Sequence, residues 1–331
     1  FPIRQWNRWR DDLQTHVFVQ DAVPGTEAKD LLAGTEFVAR PGFSGVPRLA
    51  GESLKPEWTP DGNALVISAT QNLDGAAHSK TVYHLYRLPV TGGEPEALTS
   101  SDDWSCGEAK FAPAGDAVFC QYVPVTEFAY NHTEIAKFGW PASGAAVDFA
   151  PEPSLLTAGF DRSVSDMTFS ANGKTVFLTA MDEGRVRLFS VPANGRGKVA
   201  ALDPDSGGVY AGPRPAGRSL VARWEDATNP AELVRVDTRS GEHEFLTSFN
   251  TERAAELDRP PFREFWFESS LGRRIHSFVA LPPGFDETKK YPVITLIHGG
   301  PHSSSLDMDH IRWSPHVLAS AGYVVVMTDY T

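Results

Sequence analysis

One short motif recurs along this chain and limits what it can fold into more than any other feature: an aromatic-x-Pro-x-Gly corner that leads straight into an apolar strand. It reads Trp58-Thr-Pro-Asp-Gly62 before Ala64 to Ala69, and Phe111-Ala-Pro-Ala-Gly115 before Ala117 to Tyr122. A third copy is Phe169-Ser-Ala-Asn-Gly173 before Thr175 to Ala180, and a worn fourth is Pro213-Arg-Pro-Ala-Gly217 before Ser219 to Trp224. Successive copies start 44 to 58 residues apart. A second signature runs out of phase with the first: Leu85 to Val90, Gly92-Gly93, Leu98-Thr99, and again Leu233 to Asp237, Gly241, Leu246-Thr247, with looser copies ending at Leu32, Leu156-Thr157 and Leu202. Each repeat predicts about four short strands joined by Asp-Gly, Asn-Gly or Gly-Gly turns, whose positive backbone angles suit tight hairpins. Four strands at that period is the pattern of a β-propeller blade, whereas a β-sandwich has no reason to repeat such a corner at blade spacing. Four to five blades are legible between Phe1 and Asn250. Propellers close as whole rings, and Gln14 to Ala33 reads as the end of a blade, so the ring is expected to begin before Phe1.

The pattern changes after the repeats. Residues 250–261 are charged, end in Pro260-Pro261 and read as a linker. Phe265 to Glu268 and Ile275 to Leu281 alternate across Leu271-Gly272 and predict an antiparallel hairpin. Pro292 to Ile297 is a continuous aliphatic run of the kind that forms a strand buried on both faces of a parallel sheet. Ser314-Pro315 predicts a helix start, His316 to Ala321 a short helix, Gly322 its left-handed cap, and Tyr323 to Met327 a second buried strand. Strand, crossover, helix, strand is a βαβ unit of an α/β domain, and Val324, Val325 and Val326 predict that further chain follows Thr331. The pattern therefore predicts an all-β propeller followed by the beginning of an α/β domain. The division is expected at 1–255 for the propeller, incomplete at its N-terminus, and 256–331 for the start of the second domain, incomplete at its C-terminus.

The order of these features resembles the prolyl oligopeptidase family of serine peptidases, in particular its acylaminoacyl-peptidase and dipeptidyl-peptidase branches. The resemblance covers nearly the whole chain: the propeller repeats, Arg274 to Leu281 with Pro282-Pro283-Gly284-Phe285, Tyr291-Pro292-Val293, the loop Leu296-Ile297-His298-Gly299-Gly300-Pro301, and Ala321-Gly322-Tyr323-Val324. It implies the fold class of an all-β propeller followed by the beginning of an α/β-hydrolase domain, and a serine-type peptidase acting through an acyl-enzyme on short peptides at or near their N-terminus, with an active site facing one mouth of the propeller. Acyl transfer builds negative charge on the carbonyl oxygen, and a fixed backbone N–H at that point stabilises the transition state by roughly 3 to 4 kcal/mol. In this architecture one donor comes from the loop after the third strand. By resemblance the donor is Gly300, with His298, Gly299 and Pro301 shaping the oxyanion loop. No Gly-x-Ser-x-Gly elbow occurs in the chain, so Ser, acid and His are all expected beyond Thr331 and the 331 residues alone are expected to be inactive.

Other residues invite weaker readings. His298 and His302 are four apart, but Gly299-Gly300-Pro301 forbids the helix that would align them on a metal. His302, Ser303 to Ser305, Asp307, Asp309 and His310 are expected to line the cleft or meet solvent. Dipeptidyl-peptidases of the family read a free amino terminus with propeller carboxylates, for which Glu225-Asp226 and Asp102-Asp103 are available, although such residues are commonly turn-formers. Asn131-His132-Thr133 fits a glycosylation sequon. Cys106 and Cys120 are too few for a disulfide scaffold and lack zinc-site spacing.

Thirty basic against forty-two acidic residues give a net charge of −12, the wrong sign for a phosphate-binding surface. No apolar run approaches the roughly 20 residues of a membrane helix. The expected partners are short peptide substrates and the remaining part of the hydrolase domain, with a possible homo-oligomer and neither nucleic acid nor membrane. No cofactor and no metal is expected. The compartment stays open, with a periplasmic or secreted location favoured over a cytoplasmic one. The rival reading is a non-catalytic β-propeller binding module with a degenerate hydrolase domain; the glycine loop favours the enzyme, because a degenerate domain has no need of an oxyanion turn. Within the enzyme class, an esterase is the alternative.

Overall fold

The computed structural model of the chain describes residues 4–5, 8–9, 13–48, 51–76, 80–128, 130–141, 149, 153–300 and 303–329. It is mostly β-sheet and divides into two compact units, residues 1–161 with 193–196, and residues 162–192 with 197–331.

In the first unit, β1 (Arg4–Gln5) pairs with β2 (Arg8–Trp9), and β3 (Phe18–Val19) with β4 (Lys29–Asp30). Helix α1 (Glu36–Ala39) leads to β5 (Ser44–Arg48) and β6 (Gly51–Ser53). β5 and then β7 (Glu57–Trp58) line one side of β8 (Ala64–Thr70), and β9 (His84–Pro89) and β10 (Glu96–Ala97) complete an antiparallel meander on its other side. A second meander is β11 (Trp104–Phe111), β12 (Ala117–Pro124), β13 (Glu134–Gly139) and β14 (Ser154–Leu155). In the second unit the pattern repeats twice: β15 (Val164–Phe169), β16 (Thr175–Asp182), β17 (Arg185–Pro192), β18 (Ala200–Ala201), then β19 (Val209–Ala216), β20 (Ser219–Glu225), β21 (Glu232–Asp237), β22 (His243–Phe245).

The repeated corner is what sets this pattern. In each of the first three copies the glycine N–H closes a four-residue turn on Thr59, Ala112 or Ser170, at 2.9, 2.8 and 2.9 Å. The same three residues then donate to Ala64, Ala117 and Thr175 at 3.0, 2.9 and 2.8 Å, which starts the next strand in register. Gly62, Gly115, Gly173 and Gly217 all sit at φ between +63° and +71°, where a side chain is strained. All seven residues of β8 are buried, because both faces of its sheet are covered. Leu65 and Ile67 pack against Leu31 and Leu32. Val66 and Leu85 pack the other way, against Trp104, Cys106, Val118 and Cys120 of the next meander. In the second unit Phe177 and Leu188 meet Tyr210, Leu220, Trp224 and Val234 in the same manner.

The two cysteines were unassigned by spacing, yet β11 and β12 bring them together as a buried disulfide, Cα to Cα 5.7 Å and 14 residues apart in sequence. Closing a loop of that size restricts the unfolded chain by about 3 kcal/mol. The double variant Cys106→Ala/Cys120→Ala is expected to melt about 6 °C or more below the wild type, given roughly 2 °C per kcal/mol at this size. Equal melting temperatures by calorimetry would mean the bond is not formed in solution.

The rest of the second unit is a four-stranded sheet in the order β23-β24-β26-β25. Residues 250–261, expected as a linker, begin with the short helix α2 (Thr251–Ala255). β23 (Arg263–Glu268) and β24 (Arg274–Ala280) form the expected hairpin. β25 (Val293–Leu296) crosses through α3 (Pro315–Ser320) to β26 (Val324–Thr328), which it pairs in parallel, while β26 runs antiparallel to β24. Ser314 takes the position before α3 with Pro315 at its start, although its hydroxyl makes no capping bond. The expected burial of β25 on both faces is not met among the described residues: it is the edge strand, exposed at alternate residues, with Val293 61% accessible and Ile297, just past its end, 88%.

Candidate active site

The glycine loop leaves the sheet where β25 ends, at the carboxyl end of a parallel strand, the place where open α/β sheets bind ligands. Gly299 and Gly300 are both exposed. Gly300 has φ +138°, in the region that favours glycine. A side chain at Gly299 would meet nothing within 4 Å, so packing within the described residues does not call for a glycine there. His298 places Nδ1 2.9 Å from the Gly299 carbonyl oxygen, which can only accept; Nδ1 therefore carries the proton in this contact. Pro301 and His302 lie outside the described residues.

The chain just after the turn is held from three sides. The Ser305 N–H donates to Asp329 Oδ1 at 2.8 Å. The Asp307 N–H donates to the Gly184 carbonyl at 2.7 Å, while its carboxylate accepts from Gly208 and Ala227, each at 3.2 Å. Burial pushes the Asp307 carboxyl up, and the two backbone bonds work against that rise. Asp307 therefore neither lines a cleft nor meets bulk solvent as expected: it fastens the segment to the turns beside β16, β19 and β20. Asp309 pairs with Arg259 at 2.7 Å, and Arg259 also donates to the Thr228 carbonyl at 2.9 Å. His316 Nε2 lies 2.9 Å from the Pro260 carbonyl and its ring stacks on Phe262, which ties the segment before β23 to α3; burial lowers its pKa and keeps it neutral near pH 7.

A second histidine is handled in the opposite way. His276, on β24, is buried and stands between Glu264 at 3.0 Å and Asp329 at 3.3 Å. Burial alone would lower its pKa, but the bonds to Asp329 and Glu264 outweigh burial and raise it. Burial likewise works to raise the Glu264 carboxyl, yet Arg185 at 2.8 Å and His276 hold it below its ordinary range. Gly184 lies so close to this group that a Cβ would stand 2.7 Å from the His276 ring.

The two carboxylate pairs considered for a substrate's amino terminus fare differently. Asp226 Oδ1 accepts from the N–H groups of Thr228 and Asn229 at 2.8 and 2.7 Å, so it shapes a turn. Glu225 is buried, its carboxyl raised by that burial, with Arg223 3.7 Å away. In the first unit, Asp103 takes part through its backbone, accepting from Val125 N–H at 2.7 Å. Reading the sequence missed Asp329, His276 and Glu264 altogether. An alternating hairpin carries no mark that one inward position will be charged.

No protein-family profile matches the chain. Two curated relatives match along nearly all of it. Dipeptidyl-peptidase 5 of Porphyromonas gingivalis is 23% identical over 328 residues, 98% of this chain and 45% of the relative. Dipeptidyl-peptidase 5 of Schizosaccharomyces pombe is 25% identical over 345 residues, 99% of this chain and 47% of the relative. Among solved structures, an acylaminoacyl peptidase in complex with Z-Gly-Gly-Phe-chloromethyl ketone superposes with a TM-score of 0.61 at 22% identity, over 83% of this chain and 39% of that one. The chain is similar along nearly its whole length to proteins named as dipeptidyl-peptidases, which supports the resemblance to the prolyl oligopeptidase family. It spans just under half the length of the curated relatives it matches. The glycine turn follows directly on the end of a parallel strand.

Proposed function

We propose that this chain supplies the propeller and the oxyanion loop of a serine peptidase that cleaves short peptides at or near their N-terminus through an acyl-enzyme. Residues 1–255 are read as the propeller part, with the four meanders as its blades, and residues 256–331 as the beginning of the α/β-hydrolase domain. The observation that carries this reading is the open glycine turn ending β25, in a chain related along its whole length to dipeptidyl-peptidases 5. Gly300 N–H would face the oxygen of the scissile carbonyl, His298 and Gly299 would shape the approach, and the nucleophile, acid and base would come from residues outside these 331.

Two further features support it. Val293, Ile297, Ile311, Trp313 and Val317, all from β25 through α3, are each more than 60% exposed, and apolar side chains so exposed suit cover by the remainder of a hydrolase domain. The Cys106–Cys120 disulfide supports a periplasmic or secreted location, where such bonds persist.

The test compares the complete protein with residues 1–331 alone, on short peptides with free and with acylated N-termini, together with a fluorophosphonate label for an active serine. The complete protein is expected to turn over at least one peptide class and to take the label outside residues 1–331, while the isolated chain does neither. Turnover by the isolated chain, or an unlabelled and inert complete protein, would sink the assignment.

A further inference from the structure

The residues after the glycine turn belong to a closed ring of polar contacts. Ser305 N–H donates to Asp329 Oδ1 at 2.8 Å, and Asp329 Oδ2 lies 3.3 Å from His276 Nδ1. His276 Nε2 lies 3.0 Å from Glu264 Oε1, and Arg185 donates to Glu264 Oε2 at 2.8 Å. Arg185 also donates to the Glu183 carbonyl at 3.0 Å, and the neighbouring Gly184 carbonyl accepts from Asp307 N–H at 2.7 Å, which returns the ring to the segment where it began. We propose that Asp329, His276 and Glu264 are positioning residues that hold the chain immediately beyond the glycine turn and thereby fix the place of the Gly300 N–H. This rests on the reading of that turn as the oxyanion loop.

The chemistry of the ring makes it depend on protonation. Both ring nitrogens of His276 face carboxylate oxygens, which only accept, so both contacts are hydrogen bonds only when the imidazole carries two protons. A neutral ring keeps one bond and sets a lone pair against the other carboxylate. The charged groups that act on the ring are Asp329 at the end of β26 and Glu264 from β23; Glu264 is held in turn by Arg185, the first residue of β17, which also feels Asp307 and Glu183. Trp266 and Phe278 stand edge-on to the imidazole, at 5.0 and 4.7 Å between ring centroids. When His276 loses its proton, Asp329 loses its hold on one side while still tied to Ser305 on the other.

The experiment uses Asp329→Asn and, as a second variant on the more accessible side, Glu264→Gln. In Asp329→Asn the amide oxygen still accepts from Ser305 N–H, and the amide N–H donates to Nδ1 of a neutral His276, so the ring no longer needs the second imidazole proton. Glu264→Gln does the same at Nε2. In the complete protein, the high-pH fall of kcat that follows the His276 titration is expected to be lost in each variant, with KM nearly unchanged. A purely structural role would lower the melting temperature without moving that limb. Independently of turnover, exchange protection at the amides of residues 297–300 and at Ser305, the rate taken relative to the intrinsic rate at the same pH, is expected to fall about tenfold as pH rises through the His276 titration in the wild type and to stay level in both variants. If the complete protein hydrolyses peptides while limb and exchange stay where they were in folded variants, the positioning role is overturned and the peptidase assignment stands. If it hydrolyses nothing, the assignment fails, and wild-type protection at Ser305 that stays constant through the His276 titration would overturn the ring as well.

Discussion

Replacing Gly300 by proline in the complete enzyme is expected to lower kcat by about 100-fold or more while KM changes little. The proline removes the N–H that the proposed mechanism places against the developing oxyanion, an interaction made in the transition state and hardly at all in the ground state. It also cannot adopt the backbone of this position, since its ring holds φ near −65° where Gly300 stands at +138°. Both effects are confined to an exposed turn, so the melting temperature is expected to stay close to that of the wild type. The acylation rate, measured in a single turnover, is the deciding quantity. A folded variant that acylates at a near-normal rate would take Gly300 out of the catalytic apparatus.

Removing the Asp307 carboxylate is expected to have the largest effect on stability. In Asp307→Ala the N–H groups of Gly208 and Ala227, both buried, lose their acceptor. At about 1 to 3 kcal/mol for each stranded donor, the second unit should lose roughly 2 to 4 kcal/mol and melt on the order of 5 to 10 °C lower. The pH dependence separates this from a loss of bulk. Asp307 has a folded pKa raised above its unfolded value by burial, so its ionisation costs stability at neutral pH, and that cost is relieved as pH falls through the folded pKa. Asp307→Asn does not ionise and escapes this cost at every pH. The melting temperature of the wild type, taken relative to that of Asp307→Asn, should therefore rise as pH falls through the folded pKa and drop again towards neutrality. A gap that is constant with pH would mean the carboxylate is not shielded from water.

Much of the fold was legible because it is written locally. Thr59 to Ala64, Ala112 to Ala117 and Ser170 to Thr175 each set a turn and the start of a strand within six residues, so the corner could be read without knowing what it packs against. The hairpin β23–β24 followed from alternation and a glycine turn, and the βαβ unit from two aliphatic runs around Ser314-Pro315. The glycine turn at His298 to Gly300 was legible for the same reason, and the structure sets it at the end of β25.

What the sequence alone determined about this protein is thus its repeats, its strand and turn chemistry, its change of pattern near residue 256, and the turn offered as the oxyanion loop. Tertiary structure decided which polar side chains are buried and what satisfies them. Asp307 meets Gly208 and Ala227 across separations of 99 and 80 residues, and His276 meets Asp329 across 53. Cys106 and Cys120 become a pair only because β11 folds back on β12. The physical reason is the same in each case: turns and strands follow from bonds a few residues long, whereas the partner of a buried charge is chosen by whichever distant element the fold brings beside it.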